Sequence, residues 1–121
     1  MFDHFGLNVN NAKRSREFYE KALAPLGIKV AATFEQWTGF GKGEKPQFWI
    51  VKREPITKGA HVAFAAADQK SVDAFYAAAI AAGGKDNGEP GPRKDYSPTY
   101  YGAFVIDPDG NNIEAVCHSA A

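Results

Sequence analysis

Residues 4–27, HFGLNVNNAKRSREFYEKALAPLG, lie over residues 61–84, HVAFAAADQKSVDAFYAAAIAAGG, at one constant offset. His4 falls on His61, Asn11 on Asp68, Phe18 and Tyr19 on Phe75 and Tyr76, Leu23 on Ile80, and Gly27 on Gly84, each pair 57 positions apart. A single offset that aligns a strand start, a cap, an aromatic pair and a terminating glycine marks an internal duplication. The chain must therefore fold as two copies of one supersecondary unit. With 121 residues it has room for one domain of ordinary size. We read residues 1–121 as a single domain, with module one at 1–55, module two at 60–121, and a linker around Glu54 to Gly59 carrying Pro55.

Each copy reads as a strand followed by a helix. Residues 4–9 alternate, with Phe5, Leu7 and Val9 on one face and His4, Gly6 and Asn8 on the other, as a half-buried strand does. Asn11 offers an N-cap, after which Ser15, Phe18, Tyr19, Ala22, Leu23 and Leu26 recur at helical spacing until Pro25 and Gly27 stop the helix. In the second copy Val62 and Phe64 face the helix, Asp68 caps it, and Val72, Phe75, Tyr76, Ala79 and Ile80 form its apolar stripe. Further strands are expected at about 28–36, 37–41 and 47–53, and again at 100–106 and 111–117. The pattern is βαβββ twice, an α+β fold of two paired modules forming a curved mixed sheet. The Gly- and Pro-rich stretch from Gly84 to Tyr100 reads as a long irregular connection, of the kind that serves as a lid. Asp107-Pro108-Asp109-Gly110 reads as a tight turn joining the last two strands.

Fourteen basic against fourteen acidic side chains leave no net charge, which argues against nucleic acid as a partner. A composition 45% apolar and 23% charged is that of a globular protein. The start of the chain has no basic and apolar leader, no stretch is long enough to span a membrane, and the lone Cys117 reads as a small buried hydrophobe, so a cytoplasmic location is expected.

Three possible metal ligands occupy comparable strand positions. His4 and His61 open the first strand of each copy, Glu114 lies in the last strand, and parity places all three on the face away from the helices. Two imidazoles and one carboxylate suit Fe(II), Mn(II), Ni(II) or Zn(II) with positions left for water and substrate. His118 shares the parity of Glu114. There is no G-x-S-x-G, phosphate loop or G-x-G-x-x-G, and Cys117 and His118 point to opposite faces of a strand.

These residues carry a resemblance. His4-Phe-Gly-Leu-Asn-Val with Phe18-Tyr19, His61-Val-Ala-Phe, and Phe104-Val-Ile-Asp-Pro-Asp-Gly-Asn-Asn-Ile-Glu114 resemble the vicinal oxygen chelate superfamily. That superfamily gathers glyoxalase I, extradiol dioxygenases, fosfomycin-resistance thiol transferases and bleomycin-binding proteins. The resemblance implies the glyoxalase/bleomycin resistance/dihydroxybiphenyl dioxygenase fold, a divalent metal held by His4, His61 and Glu114, and a homodimer with the site at or beside its interface. It implies a lyase, dioxygenase or thiol transferase acting on a small oxygenated substrate, the alternative being a metal-free drug- or metabolite-binding protein. Glyoxalase I uses a fourth protein ligand, and its place here falls at Trp49 or an adjacent residue, where there is no carboxylate and an indole cannot donate to a metal. Extradiol dioxygenases need a base beside the substrate, for which Tyr96, Tyr100, Tyr101 and His118 are the candidates. We take Glu114 and Tyr101 as catalytic, and Trp49, Arg93, Tyr96 and Tyr100 as substrate-binding. Lys94 is a further cation able to meet an anionic substrate, and Trp37 a further aromatic able to stack on a ring.

Overall fold

The computed structural model describes residues 1–118. Module one runs Phe5–Val9 (β1), Ala12–Leu23 (α1), Lys29–Phe34 (β2), Trp37–Gly41 (β3) and Phe48–Lys52 (β4). Module two repeats the order with His61–Ala65 (β5), Gln69–Ala81 (α2), Lys85–Pro92 (β6), Tyr101–Ile106 (β7) and Asn112–Cys117 (β8). Each module contributes one four-stranded mixed sheet, ordered β1-β4-β3-β2 and β5-β8-β7-β6. The first strand of each module lies parallel to the last, and the remaining pairs are antiparallel.

The caps fall where the sequence places them. The side chain of Asn11 accepts from the Arg14 amide at 2.9 Å, and that of Asp68 from the Ser71 amide at 2.8 Å. Both satisfy a donor that a helix start otherwise leaves open. A 3₁₀ turn, Ala24–Leu26, with Gly27 in the left-handed region, closes the first helix. Phe18, Tyr19, Ala22 and Leu23 of α1, and Val72, Phe75 and Ala79 of α2, are fully buried against the sheets in one core that spans both modules. Phe48 and Phe64, from opposite sheets, pack edge to face with centroids 5.4 Å apart. Cys117 is buried in the same core. Ile80 departs from expectation. It is about a third exposed, whereas its repeat partner Leu23 is buried. No helix among the described residues is long and apolar enough to cross a membrane.

The stretch after Gly84 also departs from the sequence reading. Lys85–Pro92 is a strand, not a loop, and pairs with β7 through irregularities on either side of Gly88. It bears Pro90 and Pro92 and no apolar alternation, which hides it from pattern reading. It sits at the sheet edge, the one place where a strand tolerates proline. The irregular connection is therefore confined to residues 93–100.

The Asp107-to-Asn111 turn does more than join two strands. Asp107 Oδ1 accepts from the amides of Asp109 and Asn111, each at 2.9 Å, and Oδ2 accepts from the hydroxyl of Tyr19 on α1. Asp109 accepts from the Asn10 amide, Arg14 and Ser15 at 3.3 to 3.4 Å. Asn111 accepts from the Ala60 amide at 3.0 Å and donates to the Thr57 carbonyl at 2.9 Å. These three polar side chains are buried, and their bonds reach the linker and the first helix. The turn thereby ties module two to module one, and burial is tolerable because each group is bonded.

Candidate functional site

Strand parity gives each sheet one face toward the helices and one face away from them. On β1 and β4 the helix-facing set is Phe5, Leu7, Val9, Phe48 and Ile50, leaving Gly6, Asn8, Trp49 and Val51 on the other face. On β5 and β8 the same rule leaves His61 and Glu114 facing away from α2. Gly6 pairs with Trp49 and Ala63 pairs with Glu114. Trp49 and Glu114 thus occupy equivalent places in the two modules. The first module carries an indole where the second carries a carboxylate.

In module two, Glu114 is 1% exposed, and each of its oxygens has a partner. Nε2 of His61, on β5, lies 2.8 Å from Oε1. The hydroxyl of Tyr100 donates to Oε2. Gly102 makes room for this arrangement, since a Cβ there would stand 3.2 Å from both Oε2 and the Tyr100 ring. Burial, then the hydrogen bond to Glu114, pushes the Tyr100 phenol well above its ordinary range. Tyr96 packs edge-on against Tyr100 with centroids 5.0 Å apart, and His118 does the same at 5.3 Å. Arg93 lies over the Phe104 ring and spends its donors on the carbonyls of Gly91 and Glu89 at 2.9 and 2.7 Å. Lys94 lines the same shallow hollow as Arg93 and Tyr96.

Tyr101 lies elsewhere. It shares parity with Ala103 and Val105, and its hydroxyl donates to Asp73 of α2 at 2.7 Å, so it stands on the helix side of the sheet, away from Glu114. The expectation that it lines the site with Tyr100 fails by one residue of strand register.

In module one, His4, Gly6, Asn8, Phe34, Trp37, Trp49 and Arg53 surround an open cavity of about 920 Å³. The two indoles meet edge to face with centroids 6.1 Å apart. Gly39 is required beside them, because a Cβ there would lie 2.7 Å from Pro46 Cβ and 2.9 Å from Trp49 Cζ3. His4 Nδ1 lies 2.7 Å from Asp3 Oδ1, a contact through which the carboxylate orients the imidazole ring. Asp3 also receives Lys45 at 2.5 Å, and the hydrogen bonds from Lys45 first and His4 second hold its carboxyl below the usual range.

The donor set can be tested against a divalent ion. Ligand atoms about 2.0–2.2 Å from one ion stand about 3 Å from each other, which is the spacing of His61 Nε2 and Glu114 Oε1. The buried carboxylate also supplies the negative charge such an ion needs. His61 and Glu114 therefore fit as half of a metal site. His4 belongs to the cavity of module one, and among the described residues no three of His, Cys, Asp and Glu converge on one point.

The family description that matches residues 1–115 is the Glyoxalase/Bleomycin resistance protein/Dioxygenase superfamily. The chain belongs to that superfamily. Among solved structures, a glyoxalase/bleomycin resistance protein from Albidiferax ferrireducens T118 is 34% identical over 97% of this chain and 98% of its own, with a TM-score of 0.87. An E144Q mutant of glyoxalase I from Zea mays is 25% identical, with a TM-score of 0.72 over 95% of this chain but 46% of its own length. A glyoxalase/bleomycin resistance protein/dioxygenase family enzyme from Burkholderia phytofirmans PsJN shares the fold at 17% identity over 97% of this chain and 98% of its own, with a TM-score of 0.75. A search of curated proteins found no match.

The repeat and strand parity were enough to bring His61 and Glu114 together. They did not reveal the contact of Tyr100 with Glu114, because Tyr100 precedes β7 and its direction is set by the turn that closes residues 93–100. Nor did they single out Arg53, which follows β4 and stands 4.9 Å from the centre of the Trp37 ring.

Proposed function

We infer that the protein is a divalent-metal-dependent enzyme of its superfamily, a lyase, dioxygenase or thiol transferase, acting on a small oxygenated substrate. The observation that carries this reading is the buried Glu114 carboxylate with the His61 imidazole 2.8 Å away. A carboxylate so buried is retained at a cost, and an ion-binding role accounts for that cost better than packing does. His61 and Glu114 would hold Fe, Mn, Ni or Zn, with His4 as the third donor and Asp3 orienting the His4 ring. An ion there supplies Lewis-acid stabilisation of an anion developing between two vicinal oxygens. Tyr100, released from Glu114, is the phenol placed to give or take a proton at a substrate oxygen, and Tyr96, Arg93 and Lys94 border the same approach. We propose that the protein works as a homodimer, because the cavity of module one lies open.

The second reading is a metal-free protein that sequesters an aromatic molecule. It is favoured by Trp49 at the place equivalent to Glu114 and by a Glu114 whose oxygens are already bonded within the chain. Metal analysis of freshly purified protein separates the two. Stoichiometric Fe, Mn, Ni or Zn, bound at least tenfold more weakly after Glu114→Gln in a protein that still folds, supports the enzyme. Protein that neither retains nor takes up any of the four overturns it. A screen of methylglyoxal–thiol adducts, catechols and fosfomycin then assigns the reaction.

A further inference from the structure

The cavity of module one differs in chemistry from the equivalent place in module two. Where module two has a carboxylate, a hydroxyl and an imidazole in mutual contact, module one has two indoles, Phe34, and charged groups at the rim. We propose that this cavity binds a planar aromatic molecule bearing one carboxylate, with its ring against Trp37 and Trp49 and its carboxylate on Arg53. The inference deepens the proposed function by naming the substrate class, and it rests on that reading only in taking this cavity as the seat of the small molecule.

Size, shape and charge support the assignment. At about 920 Å³ the cavity falls in the range of small-molecule sites, and its wall of Trp37, Trp49, Phe34 and Val51 is apolar. Two indoles at 83° to one another offer one face and one edge, which admits a flat ring stacked on one and met edge-on by the other. Gly39 and Pro46 fix the Trp49 ring, so the seat exists before any ligand arrives. The rim charges are unequal in availability. Lys45 is engaged by Asp3 at 2.5 Å, and Asp3 also meets His4, so the charges of Lys45 and Asp3 offset one another. The Arg53 guanidinium has no carboxylate partner among the described residues and rests over the Trp37 ring, its carbon 4.9 Å from the centroid. An arginine resting over an indole keeps N–H donors for a two-pronged bond to a carboxylate. The uncompensated charge in the cavity is therefore positive and sits beside the stacking surface.

The protein has only two tryptophans, and both line this cavity, so its whole indole emission reports on the site. The test uses full-length protein stripped of metal with EDTA, so that absence of a metal function leaves the outcome readable. 2-Naphthoate is expected to change Trp emission saturably, and calorimetry is expected to return the same affinity. 2-Naphthamide, of equal shape without the charge, should bind about tenfold more weakly. Arg53→Gln should weaken naphthoate about tenfold and leave naphthamide unchanged, whereas Lys45→Gln should move naphthoate less than Arg53→Gln does. Trp49→Ala should abolish binding of both. The proposal is overturned if naphthoate has no effect at millimolar concentration, if the amide binds as well as the acid, or if Arg53→Gln leaves naphthoate affinity intact. Naphthoate that binds only when Fe, Mn, Ni or Zn is added back, and then as tightly to Arg53→Gln as to the wild type, would equally overturn it, by placing the carboxylate on the ion and not on Arg53.

Discussion

At the scale of single residues, the two modules share a backbone frame but carry different chemistry at the equivalent places of their sheets. Trp49 stands where Glu114 stands, and each depends on a nearby glycine for its room, Gly39 and Gly102 respectively. Gly39→Ala inserts a methyl group 2.7 Å from Pro46 and 2.9 Å from the Trp49 ring. Overpacking of this kind costs about 1–3 kcal/mol. The variant is expected to melt earlier and to lose near-ultraviolet tryptophan dichroism, because the indole must leave its seat. An unchanged tryptophan signal would show that Trp49 is not held there. Tyr19 gives a second prediction. Its hydroxyl is buried against Asp107, and burial, then Asp107, pushes the phenol well above the ordinary value. A raised folded value favours the protonated form in the native state. The resulting stability is complete below the unfolded value of about 10 and is lost as pH rises from there through the folded value. Tyr19→Phe leaves Asp107 without that donor and should cost about 1–3 kcal/mol near neutrality. The gap between wild type and variant should narrow above pH 10, which urea unfolding at pH 7 and pH 11 can measure. A gap that stays constant would mean that the phenol is not shielded.

At the scale of elements, the strands and helices with a hydrophobic period were legible, and the one without it was not. β1, α1, β5 and α2 follow from alternation, helical spacing and caps, and the duplication tests each copy against the other. β6 escaped because an edge strand of lysine, aspartate, glycine and proline owes its place to β7 and not to its own pattern. The site was legible to the same extent. Residues inside regular strands, such as His61 and Glu114, take their direction from parity, whereas Tyr100 and Arg53 sit just beyond strand ends where parity lapses. The polar network around Asp107 and Asn111 was hidden for a related reason, since a turn signature says how the chain reverses and not what its side chains bind. Correcting β6 sharpens what the lid can be. Gly88 and Gly91 pair with β7 and should exchange their amides slowly where they bond to it, while the backbone amides of 93–100 bond only within that segment among the described residues. Ser97, in that segment, has a buried hydroxyl without a partner among the described residues. Amide exchange is expected to be fastest from Lys94 to Tyr100 and to slow when a divalent ion and substrate are added. If this segment is as protected without ligand as β7 itself, it is not a lid.

At the scale of the whole molecule, the proposed site must bring to one ion three donors from two places in the repeat, His4 and His61 at equivalent strand starts and Glu114 on the last strand. His4 belongs to the first module, His61 and Glu114 to the second, and within one chain no such group of three converges among the described residues. The core formed by α1, α2 and the facing aromatics joins the modules through their helix-facing sides, which leaves the ligand-bearing faces for something outside the chain to complete. A second copy related by a twofold axis does this in the simplest way, because module one of each copy then meets module two of the other, and the same contact is made twice. Light scattering should accordingly report twice the 13.1 kDa chain mass. A stronger test uses two variants that each fail to bind metal, His4→Ala and Glu114→Gln. If the site is shared, a mixed pair has one site in which both substitutions fall together and one in which neither does. Co-refolding the two variants should therefore restore metal binding to the mixed pairs alone. If each chain holds its own site, every site in the mixture still carries one substitution and mixing restores nothing. Recovery of metal in the mixture assigns the site to the interface; its absence, with dimers present, assigns the site to a single chain and requires His4 to reach Glu114 within it.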